Sequence, residues 1–504
     1  MPVATIYSRA QSGMEAPLVS VEVYLSNGLP RFSIVGLPET AVKESKDRVR
    51  AAILNSNYSF PSRRITVNLA PAELPKQGGR FDLPIALGLL VASKQLNAAA
   101  VEGHEFLGEL GLNGELHKTI GILPAAYACH MDGSILITAT ENENDLIPIH
   151  HAEFYCAGHL LEVCAHLNQV KRLVKKPKLA TRDIEHHCNS MNDVHGQSRA
   201  KRALTIAAAG QHHVLMIGSP GSGKTMLANR FSSLLEPMNE HEMLETCSVY
   251  SIANLQNNHR VPQTRPFRAP HHTVSSVGLS GGGSNPRPGE ISLAHNGVLF
   301  LDELTEFARH TLEILREPIE TGRITISRAS AQVEFPARFQ LIAAMNPCPR
   351  GCDIDQYGQC ECSSEQLSRY RNKLSAPLLD RIDIQVSVPR IPGHMMLDKN
   401  NSASENWDRI KSDIRYARDI QLKRQNELNT FLEGKKLKEA CQLDDKEGKD
   451  ILKMLEHLNI SARAFNKILK MARTIADLER STAVNKKHFA EAVSYRQFDK
   501  LLKE

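Results

Sequence analysis

The chain has 504 residues, of which 41% are hydrophobic and 23% charged, and its formal net charge is +5. This length is too great for one hydrophobic core, so we expect about two to four domains. The most apolar stretch, residues 84–92, is too short to cross a membrane, and the first residues lack a signal-peptide pattern. The sequence therefore predicts a cytoplasmic protein without a membrane partner, and its mild positive charge permits a nucleic-acid partner without indicating one.

The first predicted domain, residues 1–166, mixes strand-like and helix-like segments, which indicates an α+β or α/β fold. Strand-like segments at 20–27 and 29–37 flank an Asn-Gly pair, and this pattern predicts a β-hairpin. A second Asn-Gly pair, at residues 113–114, predicts another hairpin. Residues 82–93 are apolar along most of their length and predict a buried helix.

Three further parts follow along the chain. Residues 167–190 are polar and basic, which is typical of a solvated linker, with a nucleic-acid arm as the alternative. Residues 191–392 have the features of a nucleotide-binding domain. Residues 393–504 are predicted to be mainly helical, because segment 459–479 repeats apolar side chains at helical spacing.

A phosphate-binding loop stands near the centre of the chain. The stretch GSPGSGKT matches G-x-x-x-x-G-K-[ST], follows a strand-like segment at 213–218 and precedes a helix-like one at 226–235. In this context the backbone N–H groups and the helix N-terminus cradle phosphate, the lysine reaches the outer phosphates, and the threonine ligates Mg²⁺. The predicted nucleotide-binding residues are Gly218, Ser219, Pro220, Gly221, Ser222, Gly223, Lys224 and Thr225.

Two further strand ends carry polar side chains suited to nucleotide hydrolysis. Residues 298–301 predict a buried strand that delivers Asp302 and Glu303, which can hold Mg²⁺ and polarise the attacking water. Residues 340–346 predict another buried strand, and its last residue, Asn346, can orient that water. A solvated acidic pair and a turn-forming asparagine are the alternatives. The position of both strands after the phosphate loop favours the catalytic interpretation.

Four of the chain's ten cysteines lie in the polar stretch NPCPRGCDIDQYGQCEC. Their spacing is Cys-x₃-Cys-x₇-Cys-x-Cys, which differs from a pair of Cys-x₂-Cys motifs. Four thiolates in a reducing compartment suit tetrahedral Zn²⁺, and free thiols are the alternative. We favour a structural zinc site whose ligands are Cys348, Cys352, Cys360 and Cys362.

These motifs together resemble those of the AAA+ ATPases, which implies ATP as the nucleotide. Four longer segments narrow the resemblance to the magnesium-chelatase-like branch: RPFRAPHHTVSSVGLSGGG, GEISLAHNGVLFLDEL, LREPIETGRITISRA and APLLDRIDI. The resemblance covers essentially the whole chain, and within the branch the full pattern is similar to the competence helicases. It implies a multidomain α/β protein with an AAA+ P-loop domain, insertions like those of MCM-type helicases, and a C-terminal helical lid.

The resemblance also assigns roles to single arginines. Arg381 matches the arginine that AAA+ proteins insert into a neighbouring subunit's active site, with Arg369 and Arg371 as nearby competitors. Arg463 matches the arginine of the helical lid, where a cation in the first helical turn opposes the helix dipole unless an anion lies beside it. A surface ion pair for Arg381 and a solvated side chain for Arg463 are the alternatives. The resemblance thus implies a homo-oligomer, namely a hexameric ring.

Two insertions imply contact with DNA. One is the glycine-rich loop 265–289, to which we assign the adjacent His271 and His272 rather than to a metal site. The other is a β-hairpin at 324–335 with Arg328 near its tip. In ring helicases such loops face the central channel, and a cationic tip suits contact with phosphate without base reading. An ordinary solvated hairpin is the alternative.

The first domain is similar to the Lon-type protease domain. The serine of that family falls on Arg80 of this sequence, and its lysine falls on Leu123. Without either member of this dyad, no activated nucleophile can form. We therefore expect an α+β domain that is structural or binds DNA and does not cleave peptides.

Three functions follow from the resemblance, in decreasing order of preference. The first is an ATP-driven ring that acts on single-stranded, forked or branched DNA as a helicase or branch-migration motor, in recombination during natural transformation. The second is a chelatase-type motor for insertion of Mg²⁺ into a porphyrin, which is disfavoured because such motor subunits lack a Lon-like front domain. The third is a Lon-like protease, which the missing dyad nearly excludes.

Overall fold

A computed structural model of the chain describes most of the sequence. Among the described residues, every helix is too short or too polar to span a lipid bilayer. Most of the connector predicted at 167–190 lies outside the described part, as does Arg328, so both remain predictions. The described ranges are 3–36, 40–74, 76, 78–149, 152–174, 190–255, 264–283, 286–327, 332–352, 360–391, 406–442 and 461–496.

The first domain is built on a mixed β-sheet. Its strands are β1 (Ala4–Arg9), β2 (Leu18–Ser26), β3 (Arg31–Val35), β4 (Arg64–Ala70), β5 (His104–Phe106), β6 (Glu109–Leu110), β7 (Leu116–His117), β8 (Ile135–Ala139) and β9 (Phe154–Ala157). Where the structure describes this domain, seven of them form one sheet in the order β3-β4-β2-β1-β5-β8-β9, and β6 pairs with β7 alone. The alternating burial of β2 and β4 shows that one face of the sheet is packed and the other partly solvated.

One of the two predicted hairpins is wrong and the other is confirmed. Segments 20–27 and 29–37 do contain strands, but β4 lies between β2 and β3, antiparallel to the first and parallel to the second. The connection is a four-residue loop in which Leu29 is 89% exposed, rather than a two-residue turn. By contrast, β6 and β7 pair antiparallel around residues 113–114, as the sequence predicts.

The helices of the first domain are α1 (Thr40–Asn55), α2 (Asp82–Ala92), α3 (Ile122–Met131) and α4 (Leu160–Leu167). Helix α2 is buried from Asp82 to Leu90, which confirms the buried helix predicted at 82–93. Asp82 lies in its first turn and accepts hydrogen bonds from Ser45 and Arg48. A carboxylate at this end of a helix is favoured by the helix dipole, so these contacts fix where α2 begins.

The central domain contains a parallel sheet with short elements above it. Its strands are β10 (Val214–Ile217), β11 (Phe267–Arg268), β12 (Gly281–Gly282), β13 (Arg287–Pro288), β14 (Val298–Leu301), β15 (Arg323–Ser327), β16 (Gln332–Pro336), β17 (Gln340–Met345) and β18 (Ile384–Ser387). Five strands in the described part pair in the order β11-β14-β17-β10-β18, and every pairing is parallel. The sheet is consistent with an AAA+-type α/β domain.

Helices cover the faces of this sheet, as parallel strands require. They are α5 (Ser198–Gly210), α6 (Lys224–Phe231), α7 (Glu240–Ala253), α8 (Ser276–Ser280), α9 (Glu290–Leu293), α10 (Arg309–Glu313), α11 (Arg316–Thr321), α12 (Ser364–Arg371) and α13 (Ala376–Leu379). Strands β10, β14 and β17 are buried along their whole length. Strands β15 and β16 form an antiparallel hairpin outside the sheet, at the position predicted for the second insertion.

The C-terminal part is helical, with α14 (Trp407–Gln425), α15 (Gly434–Cys441), α16 (Ala462–Leu478) and α17 (Lys486–Ser494). The apolar face predicted in 459–479 is the buried face of α16, since Ile468, Ala472 and Ile475 are each at most 1% exposed. These side chains join the same hydrophobic cluster as Val214 of β10. The helical part therefore shares a core with the central domain.

The first domain also touches the central domain. A tight turn at residues 11–15 lies against the β15–β16 hairpin, where a Cβ added to Gly13 would sit 2.7 Å from Cγ1 of Val333. Met14 packs on the hydrophobic cluster that includes Ile324. Elsewhere the backbone N–H at the start of α3 donates to a carbonyl oxygen in α7 over 3.3 Å. The turn and α3 together dock this domain on the central one.

Candidate nucleotide site and adjacent cysteine cluster

The phosphate-binding loop joins the end of β10 to the start of α6. Gly218 opens the loop, and a Cβ there would lie 2.2 Å from the carbonyl oxygen of Val388, so only glycine fits. Within the described residues, the buried hydroxyl oxygens of Ser219 and Ser222 have no hydrogen-bond partner. Buried polar groups are normally paired, and a phosphate in the loop offers acceptors to both hydroxyls. The loop therefore fits a nucleotide.

Lys224 is the first residue of α6 and is 8% exposed. Its Nζ donates to the carbonyl oxygens of Gly218 at 2.7 Å and Ser219 at 3.0 Å, and to Oδ1 of Asn346 at 3.2 Å. Burial lowers the pKa of Lys224, while the carboxylate of Asp302 acts in the opposite direction. The lysine thus lies against the loop and links it to the strand that carries the predicted water-orienting asparagine.

The predicted Mg²⁺ ligands face each other. Oγ1 of Thr225 donates to Oδ2 of Asp302 at 2.6 Å. Glu303 follows in a left-handed conformation, with φ of 51°, and its N–H donates to Oδ1 of Asp302 at 2.9 Å. The Glu303 carboxylate is more than half exposed, and its Oε2 lies 3.5 Å from Nδ1 of His272. Sequence analysis placed His272 in its loop but gave no sign of this contact with the predicted catalytic glutamate.

Strand order explains why residues distant in sequence meet at this site. Strands β14, β17 and β10 are neighbours, and directly after their carboxyl ends come Asp302, Asn346 and Gly218. Ligands of parallel α/β sheets bind beyond these ends. The hydroxyl of Tyr370 donates to the Asn346 carbonyl oxygen at 3.2 Å and accepts from Oγ1 of Thr305 at 2.9 Å. Asn346 is therefore held by Lys224 through its side chain and by Tyr370 through its carbonyl oxygen.

Arg381 and Arg463 meet at one carboxylate. Nη2 of Arg381 lies 2.6 Å from Oε1 of Glu320, and Nη2 of Arg463 lies 2.8 Å from the same oxygen. Nη1 of Arg381 also donates to the Pro377 carbonyl oxygen at 2.7 Å, and its side chain is 10% exposed. Glu320 lies in the segment LREPIETGRITISRA that carries the family resemblance, but the sequence does not indicate that its carboxylate pairs with both arginines.

A basic cleft of about 640 Å³ surrounds this pair, and none of the phosphate-loop residues lines it. Lys467, one helical turn beyond Arg463 on α16, contributes to the lining. Its Nζ lies 2.9 Å from Oδ1 of Asp383, two residues after Arg381. This buried ion pair joins helix α16, which carries Arg463, to the segment between α13 and β18, which carries Arg381.

Two further side chains hold the phosphate loop. Nε and Nη2 of Arg390 donate to the carbonyl oxygen of Pro220 at 3.1 and 2.7 Å. Nε2 of Gln197 donates to the carbonyl oxygens of Pro389 at 2.6 Å and Ser222 at 3.3 Å. Neither residue belongs to a local motif, so their role at the loop is not predictable from the sequence.

The four predicted zinc ligands converge. The sulfur atoms of Cys348, Cys352, Cys360 and Cys362 all lie within 4.8 Å of one another. Cys348 is fully buried, and its Sγ accepts the backbone N–H of Cys352 at 3.1 Å. Regular tetrahedral geometry with Zn–S bonds of about 2.3 Å places sulfur atoms about 3.8 Å apart. The cluster therefore fits a closed four-sulfur metal site.

Arg80 and Leu123, the positions onto which the resemblance to Lon-type proteases is predicted to place the dyad, are both buried. Arg80 is buried and donates from Nη2 to Oε1 of Gln11 at 2.8 Å and to the Ile120 carbonyl oxygen at 2.6 Å. Burial lowers the pKa of Arg80 to about 10. Leu123 is fully buried on α3. Both side chains are held in buried contacts, and the lack of peptidase activity stays a prediction.

Comparison with known proteins gives matches along the whole chain. A family model described as "Magnesium chelatase, subunit ChlI" matches residues 190–396, "Subunit ChlI of Mg-chelatase" matches 21–142, and "Magnesium chelatase, subunit ChlI C-terminal" matches 404–496. Competence protein ComM of Haemophilus influenzae is 46% identical over 508 residues, which cover 100% of this chain and 99% of that protein.

Protein YifB of Escherichia coli is 45% identical over 505 residues, covering 100% of this chain and 98% of its own. The chain belongs to the magnesium-chelatase-like ComM/YifB family. The resemblance read from the motifs is thereby confirmed. The magnesium-chelatase 38 kDa subunit of Rhodobacter capsulatus is a more distant relative of this ComM/YifB family member, 25% identical over 58% of this chain and 82% of its own.

The match at residues 21–142 weakens the case against a chelatase role. That case depends on the absence of a front domain like this one from chelatase motor subunits. A family model described as a chelatase subunit nevertheless covers most of that domain. The front domain of this ComM/YifB family member therefore does not by itself separate a chelatase role from a DNA role.

Proposed function

We propose that the protein is an ATPase whose active sites are completed between the subunits of a ring and whose turnover is coupled to DNA. One observation carries this proposal. The phosphate loop, the Thr225–Asp302 pair and Asn346 converge at one sheet edge, whereas Arg381 and Arg463 converge in a cleft that none of the loop residues lines. Each subunit therefore offers a binding half and a separate cationic half.

Within the binding half, each side chain has a distinct role. Lys224 and the loop N–H groups bind the phosphates of ATP, and Thr225 and Asp302 hold the Mg²⁺ that neutralises developing charge. Glu303 polarises the attacking water, and Asn346 orients it. The partnerless hydroxyls in the loop and the short Thr225–Asp302 contact support this assignment.

The cationic half acts on the neighbouring subunit's nucleotide. Arg381 enters that site as an arginine finger and stabilises charge on the transferred phosphoryl group. Arg463 accompanies it, because both guanidinium groups already hold a single carboxylate oxygen of Glu320. Closure of such interfaces into a hexameric ring gives every subunit a complete site.

DNA is the proposed partner of the ring, in single-stranded, forked or branched form. The full-length relative from Haemophilus influenzae is named a competence protein, which supports a role in DNA recombination during natural transformation, in the cytoplasm. The antiparallel pairing of β15 and β16 supports a hairpin that faces the channel of the proposed ring, with Arg328 as its proposed phosphate contact. The Lon-like first domain acts as a non-proteolytic support or DNA-binding module. The ring then works as a helicase or branch-migration motor.

We also propose that the four cysteines hold one structural Zn²⁺. The convergence of their sulfur atoms within 4.8 Å supports this assignment. A closed four-sulfur site leaves no open coordination position, so its role is structural rather than catalytic. Elemental analysis of the purified protein should then find one zinc per chain.

The decisive experiment measures ATP turnover with single-stranded, duplex, forked and four-way-junction DNA. We expect DNA to raise wild-type turnover. Glu303→Gln should bind ATP but lower kcat by about a hundredfold or more, because the general base is lost. Lys224→Ala should weaken nucleotide binding itself. Turnover that ignores all four DNA structures would refute the DNA coupling while leaving the ATPase proposal intact.

A chelatase-type motor is the second candidate, and the family models favour it by their descriptions. In that case the ring remodels a partner that inserts Mg²⁺ into a porphyrin. Affinity capture with and without a porphyrin separates the two candidates. A partner retained only with the porphyrin, together with turnover indifferent to DNA, would replace the DNA motor with this function.

A further inference from the structure

The four-cysteine cluster lies against the nucleotide site at two places. The first contact is through Gly351, the residue before Cys352. A Cβ added to Gly351 would sit 2.6 Å from Cδ and 2.7 Å from Cγ of Pro220, so this backbone lies directly on the phosphate loop. Its φ of +67° is the left-handed conformation that glycine adopts most readily. The N–H of Gly351 also donates to the Cys348 carbonyl oxygen at 3.0 Å, closing a tight turn.

The second contact is through helix α12, which begins directly after the last cysteine. Ser363 follows Cys362 and caps the helix by accepting the N–H of Gln366. At the other end of α12, the hydroxyl of Tyr370 donates to the carbonyl oxygen of Asn346. The cysteine cluster is thus connected to Asn346 at both ends. Cys348 follows Asn346 after one residue, and Cys362 is followed by helix α12, whose Tyr370 bonds to Asn346.

Of the described residues 346–352 and 360–362, only Cys348 and Cys362 are buried, so apolar packing restrains this stretch little when no metal is bound. The cluster has two arms, one with Cys348 and Cys352 and the other with Cys360 and Cys362. A metal coordinated by sulfur atoms from both arms links them and removes their freedom to move relative to each other. Arg350 and Glu361 add only a weak tie between the arms, since Nη1 and Oε2 are 3.6 Å apart and both side chains are more than half exposed. The position of Gly351 on Pro220 therefore depends on the ligands of the cluster.

We propose that metal binding by the four cysteines is coupled to nucleotide binding through the contact of Gly351 with the phosphate loop. The inference rests on the proposed ATP and Zn²⁺ sites and adds a link between them. With Zn²⁺ bound, the cluster holds the phosphate loop in the conformation that binds nucleotide. Without the metal, the phosphate loop can leave that conformation. Because such coupling is reciprocal, bound nucleotide must raise the affinity for Zn²⁺ by the factor by which Zn²⁺ raises the affinity for nucleotide.

The test separates the metal from the contact by using two variants. Cys360→Ser removes one ligand. Gly351→Ala keeps all four cysteines, brings a methyl group against Pro220 and adds backbone strain at a positive φ. Gly133→Ala is the matched control, because Gly133 has a φ of +72° but nothing within 4 Å of an added Cβ. For each protein one measures zinc per chain by elemental analysis, the Kd of ATPγS with Mg²⁺, and the thermal unfolding midpoint.

We expect wild type and Gly133→Ala to hold one zinc per chain and to bind ATPγS equally. Gly351→Ala should hold one zinc yet bind ATPγS about tenfold more weakly, within the usual range of such coupling. Cys360→Ser should lose both zinc and affinity. In a chelator competition on wild type, ATPγS should raise the apparent zinc affinity by the factor by which zinc improves the ATPγS Kd.

Each contrary result has a distinct meaning. Equal ATPγS affinity in Gly351→Ala and wild type, with zinc retained, overturns the coupling and leaves both sites standing. A wild-type protein without zinc overturns the metal site and the coupling with it. Failure of wild type to bind ATPγS overturns the proposed function instead. If Cys360→Ser fails to fold, Gly351→Ala and the chelator competition still decide the question.

Discussion

His213, Asp383 and Lys467 form a buried polar cluster beneath the arginine cleft. The N–H of His213 donates to Oδ2 of Asp383 at 3.1 Å, and Nζ of Lys467 lies 2.9 Å from the other carboxylate oxygen. Burial acts to raise the pKa of Asp383, but Lys467 and the neighbouring histidines hold that pKa well below its usual range. Burial also lowers the pKa of His213 to about 4. The cluster thus pairs two charges beside a neutral imidazole whose Nδ1 accepts the N–H of Leu341.

This state of His213 predicts a loss of stability on acidification. Between its ordinary pKa of 6.5 and its folded value of about 4, the unfolded chain binds a proton that the folded chain does not. Stability present above pH 6.5 is therefore lost progressively as pH falls toward 4. His213→Asn keeps an acceptor for the Leu341 N–H but does not titrate. Thermal unfolding from pH 7 to 4 should show a steeper fall in Tm for wild type, and parallel curves would contradict the assignment.

Secondary-structure elements whose signals are local were predictable from the sequence. Helix α2 has a continuous apolar stretch, helix α16 has apolar side chains at helical spacing, and the β6–β7 hairpin has its turn residues between its own strands. The separation of β2 from β3 was not predictable in this way, because β4, from a later part of the chain, lies between them and pairs with both. Local pattern fixes the type of an element, whereas the choice of neighbour depends on packing of the whole sheet.

The docking of the first domain on the β15–β16 hairpin yields a prediction at the scale of elements. Met14→Asp places a carboxylate against the apolar cluster around Ile324, where an unpaired charge is unfavourable. The turn should detach, and amide hydrogen exchange in residues 323–327 and 332–336 should become faster. Met131→Asp is the control, because Met131 is 67% exposed. Unchanged exchange in the hairpin of Met14→Asp would show that the contact does not restrain it.

At the scale of the whole molecule, the site divides into a part that sequence motifs find and a part that they miss. The phosphate loop, Asp302 and Asn346 stand at strand ends, so order along the chain and the parallel sheet predict their meeting. Glu320 and Arg390 bind the predicted residues from unrelated elements, and only the folded arrangement reveals them. Glu320 stands in a segment that carries the family resemblance and Arg390 stands outside any motif, but the partners of both depend on how distant elements pack and are not indicated by the sequence.

Assembly predicts complementation between two inactive variants. Arg381→Ala keeps its phosphate loop but lacks the finger, and we expect its kcat to fall by about a thousandfold. Lys224→Ala keeps the finger but lacks the loop lysine. Mixed rings contain interfaces in which an intact loop faces an intact finger, so the mixture should regain ATP turnover. If Arg381 acted on its own subunit, neither variant would rescue the other and the mixture would stay inactive.

Control measurements keep that test interpretable. Each variant alone should form oligomers of wild-type size, measured by light scattering at the same protein concentration. Arg369→Ala is the matched substitution, because Arg369 lies on an exposed surface in an ion pair with Glu365. Loss of turnover in Arg369→Ala that is rescued by Lys224→Ala subunits would move the finger role to that residue.

The carboxylate of Glu320 competes with a neighbouring subunit's nucleotide for two arginines of the proposed ring. In a solitary subunit it serves as an internal counter-ion for Arg381 and Arg463. A neighbour carrying ATP presents a γ-phosphate of the same sign, which can replace the glutamate, whereas a neighbour carrying ADP lacks the γ-phosphate. The proposed interface between subunits then distinguishes ATP from ADP, because the γ-phosphate replaces the Glu320 carboxylate beside the two arginines. The interface weakens each time hydrolysis releases that phosphate.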